Sequence, residues 1–152
     1  MEYFVKPYKH QELALELSRK HPNLALLFAL GTGKTGAAIL IMRDKYNTER
    51  RIMRTLIIGP VSILYGWRNE LLKFSRIPDQ MIAVLTAKER KKEHKEPIRI
   101  VNYDALVKKD FLEILLEFKP EIIVFDETQL IKNPTAKRTK ACIALSKLAS
   151  FR

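Results

Sequence analysis

Gly31, Gly33, Lys34 and Thr35 follow the apolar run Leu24-Ala25-Leu26-Leu27-Phe28, and their types and order suit the grip of a phosphate chain. Glycines let backbone N–H groups close around phosphate oxygens, a lysine reaches the β and γ oxygens, and a threonine hydroxyl holds Mg²⁺. The strict loop pattern has a further glycine five residues before Gly33, where this chain has Phe28, so only the second half of the pattern is met. A bare Gly-Lys-Thr is common in basic chains, as a turn that leads into a lysine-bearing helix. Here the context adds weight: an apolar strand precedes it, and Ala37, Ala38, Ile41 and Met42 follow at helical spacing.

The second chemical group lies far downstream, where the apolar strand Ile122-Ile123-Val124-Phe125 ends in Asp126-Glu127. A parallel sheet binds ligands at the carboxyl edge of its strands, which is where this carboxylate pair falls. Successive side chains at a strand end point in different directions. Asp126 is therefore assigned to the Mg²⁺, and Glu127 to the water that attacks the terminal phosphate. An acidic pair after a strand is commonplace alone; together with the loop it completes a site for ATP and Mg²⁺.

The elements that must position these groups alternate along the chain. Strands are expected at Leu24 to Phe28, Thr55 to Gly59, Met81 to Thr86, Ile98 to Asn102 and Glu121 to Phe125. Several are apolar without alternation, as strands buried on both faces are. Between them, Leu64, Trp67, Leu71 and Phe74 fall at helical spacing, as do Phe111, Ile114, Leu115 and Phe118, and then Ala141, Ala144, Leu145 and Leu148. Trp67 is read as core packing on such a stripe. Pro60, Pro78, Pro97, Pro120 and Pro134 punctuate the connections. The expectation is one α/β domain over residues 1–152, a mainly parallel sheet with helices on both faces.

At 152 residues with 47% hydrophobic content, the chain has material for one substantial core. Its apolar runs fall well short of the roughly 18 to 20 residues of a membrane span, and no signal segment opens it. A soluble protein without a membrane partner is expected, cytoplasmic or, in a eukaryote, nuclear, and not secreted by that route. Cys142 is the sole cysteine, which rules out an internal disulfide and a cysteine-based metal cluster. The net charge of +11 points to a polyanionic partner. From Gln129 to Arg152 there is no acidic residue, whereas Lys132, Lys137, Arg138, Lys140, Lys147 and Arg152 are basic, so this tail is the candidate for phosphate contacts. The cluster Lys88, Arg90, Lys91, Lys92 and Lys95 is diluted by Glu89, Glu93 and Glu96, and reads as a solvated helix face.

Asp126-Glu127-Thr128-Gln129-Leu130-Ile131-Lys132-Asn133-Pro134 resembles the DEAH-box segment, with its following "IKNP", of the Swi/Snf-type branch of superfamily two helicases and DNA translocases. Ala29-Leu30-Gly31-Thr32-Gly33-Lys34-Thr35 is similar to motif I of that branch, whose first loop position is not glycine. Lys6 to Gln11 resembles the opening motif, Leu56 to Leu64 with Trp67 resembles motif Ia, and Val101 to Leu106 resembles motif Ib. The likeness spans nearly the whole chain in the family's order.

The resemblance implies a three-layer P-loop NTPase fold, a RecA-like ATP-binding lobe. It also implies that Gln11 reads adenine, that Leu30, Gly31, Thr32, Gly33, Lys34 and Thr35 form the nucleotide loop, that Thr35 and Asp126 organise Mg²⁺, and that Glu127 activates water. Pro60, Ser62, Asn102, Tyr103 and Lys132 would lie toward nucleic acid, double-stranded DNA in this branch. Gln129 stands where the DEAH pattern has the histidine that couples the ATP site to a second lobe. Motors of this kind need that second RecA-like lobe, and no motif III or second-lobe motif is found here, so the chain is expected to be a piece of a two-lobe motor. The alternatives are a non-catalytic basic nucleic-acid-binding module with a vestigial nucleotide pocket and, less well supported, a small P-loop kinase, for which no acceptor or lid segment is recognisable.

Overall fold

Thr55, Leu56, Ile57, Ile58 and Gly59 are buried without exception, and they form β1 (Thr55–Gly59) at the centre of a four-stranded sheet. The computed structural model describes residues 6–29, 31–89 and 92–152. β1 pairs in parallel with β3 (Ile98–Asn102) on one side and with β4 (Ile122–Phe125) on the other, and β2 (Ile82–Val84) pairs in parallel with the outer edge of β3. The sheet order is β2-β3-β1-β4. All four carboxyl ends therefore face one rim, as parallel pairing requires.

Side chains alternate across a strand, so each face of the sheet builds its own core. Leu56, Ile58, Val101 and Ile123 pack with Phe111 and Leu115 of α4 (Lys109–Phe118) and with Cys142 and Leu145 of α5 (Lys137–Ser146). Ile57, Ile100 and Ile122 pack on the opposite face with Ile39 and Met42 of α2 (Lys34–Glu49) and with Trp67 and Leu71 of α3 (Leu64–Phe74). Both faces of β1 are covered, which is why its sequence is a continuous apolar run. Burial pushes the Cys142 thiol up to about 12, so it stays protonated. Among the described residues, no helix is long and apolar enough to cross a membrane.

Several expectations need correction. Leu24 to Phe28 is not a strand of the sheet: a strand exists through its ladder, and among the described residues the backbone here bonds only at its edge, from the Leu24 N–H to the Arg152 C=O (2.9 Å) and from the Arg152 N–H to the Pro22 C=O (3.0 Å). Leu27 is 92% exposed. The run expected at Met81 to Thr86 shortens to β2 because Asp79–Met81 forms a 3₁₀ turn, and Glu121 lies just outside β4. The charge cluster is solvated, with Lys92 paired to Glu89 at 2.9 Å; Arg90 and Lys91 lie outside the described residues. On α4 and beyond α5, Ile114 and Leu148 of the expected stripes are exposed.

The helix α1 (Lys9–Lys20) carries Leu13 and Leu17 at helical spacing, but both face solvent. It buries Gln11, Ala14 and Ser18, at i, i+3 and i+7, against α2. Lys45 Nζ donates to the Ser18 carbonyl at 2.9 Å, and Arg19 pairs with Asp44 at 2.6 Å.

Glu121 fastens the entrance of β4 to the loop before β1. Its carboxylate accepts two bonds from the Arg51 guanidinium, at 2.6 and 3.0 Å, and one from the Arg54 backbone N–H at 2.9 Å. The Arg51 hydrogen bonds above all, and Arg54 beside them, hold this carboxyl down to about 2. A folded-state value below the unfolded one contributes stability that is fully present above the unfolded value of about 4.3 and is lost as pH falls through about 2. Both arginines are half in solvent, so the contribution is about 1 kcal/mol or less. Glu121→Gln should lower the urea midpoint at pH 7, and the gap to wild type should close as unfolding is repeated from pH 5 down to pH 2; a gap that does not vary with pH would refute the clamp.

Candidate active site

The turn before α2 is left-handed at both of its glycines, with φ of 75° at Gly31 and 82° at Gly33. Such backbone favours residues without a Cβ, and the turn leads directly into the N-terminus of α2, the end of a helix that favours an anion. Lys34 begins that helix, and its Nζ reaches back across the loop to the Phe28 carbonyl at 3.2 Å. Thr32 Oγ1 closes the turn on the Ala29 carbonyl at 2.7 Å. Leu30, also expected in the loop, lies outside the described residues.

The N-terminus of α1 is tied to this loop through buried Gln11. The Gln11 Oε1 accepts the Tyr8 N–H at 2.9 Å, while its Nε2 donates to the Gly33 carbonyl at 3.0 Å. His10 Nε2 is 2.9 Å from the Thr32 carbonyl oxygen, and its ring stacks on Tyr8 and meets Phe28 edge-on. Nothing in the spacing of the sequence marks His10 as a brace of the loop.

Asp126 emerges where β4 ends, its N–H donating to the Ile58 carbonyl at 2.8 Å. Its carboxylate is held at both oxygens: Oδ2 accepts the Trp67 indole Nε1–H, and Oδ1 accepts the Glu127 N–H, each at 2.9 Å. Tyr103 Oη donates to the Asp126 carbonyl at 2.7 Å. Burial, followed by the nearness of Cys142, Asp126 and Glu127, raises the Tyr103 phenol above its ordinary value and keeps it a donor. Trp67 is core packing, as expected, but it also carries this polar contact, which a helical stripe could not reveal. Glu127 takes a left-handed backbone at φ 54° as the chain turns into the 3₁₀ turn Thr128–Ile131. Gln129 Nε2 donates to Glu127 Oε2.

Lys34, Thr35, Asp126, Glu127 and Gln129 line one cavity of about 420 Å³, which runs between the Leu24 to Phe28 segment and β4. The loop and the carboxylate pair, 92 residues apart from Lys34 to Asp126, are thus brought to the same rim of the sheet. Among the described residues no cluster of three or more His, Cys, Asp or Glu could cage a metal. One hydroxyl and one carboxylate, both hard oxygen donors, suit an ion such as Mg²⁺ that keeps waters and phosphate oxygens in its shell.

Residues 8–149 match the SNF2-related domain. The chain belongs to the SNF2-related family. It is 30% identical over 128 residues to an uncharacterized ATP-dependent helicase of Mycoplasma genitalium, covering 77% of this chain and 12% of that protein. A Caenorhabditis elegans homolog of the SWI/SNF-related matrix-associated actin-dependent regulator of chromatin subfamily A-like protein 1 is 28% identical over 145 residues, 94% of this chain and 20% of that one. The Sulfolobus solfataricus SWI2/SNF2 ATPase core, solved in complex with dsDNA, superposes with a TM-score of 0.82 at 27% identity, over 99% of this chain and 31% of that one. The UvsW helicase of bacteriophage T4 shares the fold, with a TM-score of 0.76 at 19% identity over 99% of this chain and 54% of that one. The chain thus spans 12 to 20% of the length of these curated relatives. Its parallel α/β sheet is the RecA-like fold found in that SWI2/SNF2 ATPase core.

In this SNF2-related domain, the residues expected toward nucleic acid divide into two sets. Ser62 and Lys132 are exposed, and Pro60 and Asn102 are partly so. Tyr103 is not: at 2% exposure, with its hydroxyl bonded to the Asp126 carbonyl, its side chain faces the core instead of solvent. In the basic tail, Lys137, Lys140 and Lys147 are exposed, while Arg138 approaches Asp104 at 3.6 Å.

The two loop glycines of the domain differ in what a methyl group would meet. A Cβ on Gly33 would fall 2.7 Å from Gln11 Nε2, whereas one on Gly31 would meet nothing within 4 Å. Both Gly31→Ala and Gly33→Ala should cost about 1–2 kcal/mol from the left-handed backbone, but only Gly33→Ala should also displace the Gln11 amide from the Gly33 carbonyl. Urea unfolding should rank Gly33→Ala as the less stable variant, and equal midpoints would count against the Gln11 contact.

Proposed function

We propose that this domain binds ATP with Mg²⁺ at the Lys34-Thr35/Asp126-Glu127 rim, as the first lobe of a motor that translocates on double-stranded DNA. The observation that carries the reading is that these four side chains line a single cavity. Mg²⁺ bound there would supply positive charge against the charge that builds on the phosphates. Lys34 exchanges its bond to the Phe28 carbonyl for phosphate oxygens, and the α2 N–H groups hold the same chain. Thr35 and Asp126 supply the hydroxyl and carboxylate of the metal's shell. Glu127 orients the attacking water and takes its proton on the carboxylate, with Gln129 setting the direction of that carboxylate. Gln11, joined to Gly33, stands beside the loop for the adenine edge.

Duplex DNA as the track is supported by the Sulfolobus core solved with dsDNA and by the exposed lysines of the tail. A second lobe, carrying the arginine finger, is part of the same proposal. Such a finger is worth roughly 10³ to 10⁵ in rate, so this chain alone should bind nucleotide weakly and hydrolyse it slowly.

Lys34→Ala should abolish the Mg-ATP binding that calorimetric titration detects for the wild-type chain; unchanged affinity would refute the site. In a longer form of the protein that carries both lobes, Glu127→Gln should keep ATP binding and lower duplex-stimulated turnover by about 100-fold or more. Undiminished steady-state hydrolysis would remove Glu127 from the role of base.

A further inference from the structure

Trp67 is the sole tryptophan of the chain, and its side chain is 4% exposed among apolar neighbours such as Leu71 and Ile57. Tryptophan has one polar atom, an indole N–H that can only donate, and a buried donor seeks an acceptor. Here that acceptor is Asp126 Oδ2, at 2.9 Å and 59 residues away, and Trp67 itself lines the cavity that holds Lys34 and Thr35.

A carboxylate on a short side chain can rotate about two bonds, and each rotation moves its lone pairs relative to any cation in the cavity. At Asp126 both oxygens are already engaged on one side, Oδ2 by the Trp67 indole and Oδ1 by the Glu127 N–H, while Tyr103 Oη fixes the backbone behind it through the Asp126 carbonyl. Each oxygen has a second lone pair left for a ligand. The indole cannot swing aside without disturbing the packing of α3 on the sheet, where Trp67 and Leu71 share one buried stripe.

We propose that Trp67 is a positioning residue for Asp126, which presents the carboxylate to the divalent cation of the nucleotide through the bond from its indole N–H. The role rests on the reading of Asp126 as the carboxylate on the metal side of the site. It makes α3, which follows β1 and the exposed Ser62 segment, a physical part of the metal site. Partners that hold a ligating group in place are typically worth 10- to 100-fold in metal affinity, and roughly 10-fold is expected from one neutral donor.

The experiment uses the chain as it stands. A single tryptophan yields a single indole ¹H–¹⁵N peak, which needs no assignment. Without nucleotide, Asp126→Asn should shift that peak, because a neutral amide replaces the charged acceptor; an unmoved peak overturns the contact. With ATP, Mn²⁺ should broaden the wild-type indole peak, and Lys34→Ala should remove the broadening while leaving the nucleotide-free peak in place. Free Mn²⁺, followed by electron paramagnetic resonance in the presence of ATP, should show half-saturation raised roughly 10-fold by Trp67→Phe. Leu71→Ala, a cavity on the same stripe, should lower the unfolding midpoint without that rise. Equal Mn²⁺ half-saturation in Trp67→Phe and wild type overturns the positioning role with the nucleotide site intact, whereas failure of the wild-type chain to take up Mn²⁺ with ATP removes the nucleotide reading and this role together.

Discussion

Parallel pairing of β1 with β4 is the constraint on which the rest of this domain depends. Parallel strands put their carboxyl ends on one rim, and the final rung, from the Asp126 N–H to the Ile58 carbonyl, sets where the strand stops and the acidic pair begins. Were β4 to slip by one residue along β1, its side chains would change faces, and Asp126 would no longer meet the indole of Trp67. The apolar layers on both faces oppose such a slip, since Ile123 belongs to one core and Ile122 to the other. Hydrophobic burial thereby secures the register, and the register aims the carboxylate.

The loop side of the cavity is held in a different way. Leu24 to Phe28 has no strand ladder, and its position depends on the two bonds to Arg152 and on contacts to α1 and α2. Gln11 and His10 compensate by bonding to the carbonyls of Gly33 and Thr32, which join the turn to a helix packed on α2. The glycine turn is therefore braced from the α1 side and the Asp126 carboxylate from the α3 side, so the two walls of the cavity are held by different elements.

Much of this was legible in the residues. β1 and β4 were readable because a strand buried on both faces is apolar, β3 from its Ile98, Ile100 and Val101 despite Arg99 between them, and α3, α4 and α5 because their stripes repeat every three to four residues. Residue types and order singled out Lys34, Thr35, Asp126 and Glu127, which the structure brings to one cavity. Leu24 to Phe28 misled for the opposite reason: an apolar run is a necessary property of an inner strand, whereas the ladder that would make it one depends on neighbours. α1 misdirects because the face it buries, Gln11, Ala14 and Ser18, carries little hydropathy signal, while its spaced Leu13 and Leu17 face solvent.

The sequence by itself determined the chemical types of the site, the alternation of elements and the kinship with SNF2-type ATPases, since each depends on residue identity and spacing along the chain. Only the tertiary structure decided who holds those groups: Trp67 and Tyr103 on Asp126, Gln11 on Gly33, Glu121 on Arg51. Hydrogen bonds between residues dozens of positions apart have no periodicity, so nothing local encodes them. They appear once packing has brought donor and acceptor within about 3 Å of each other.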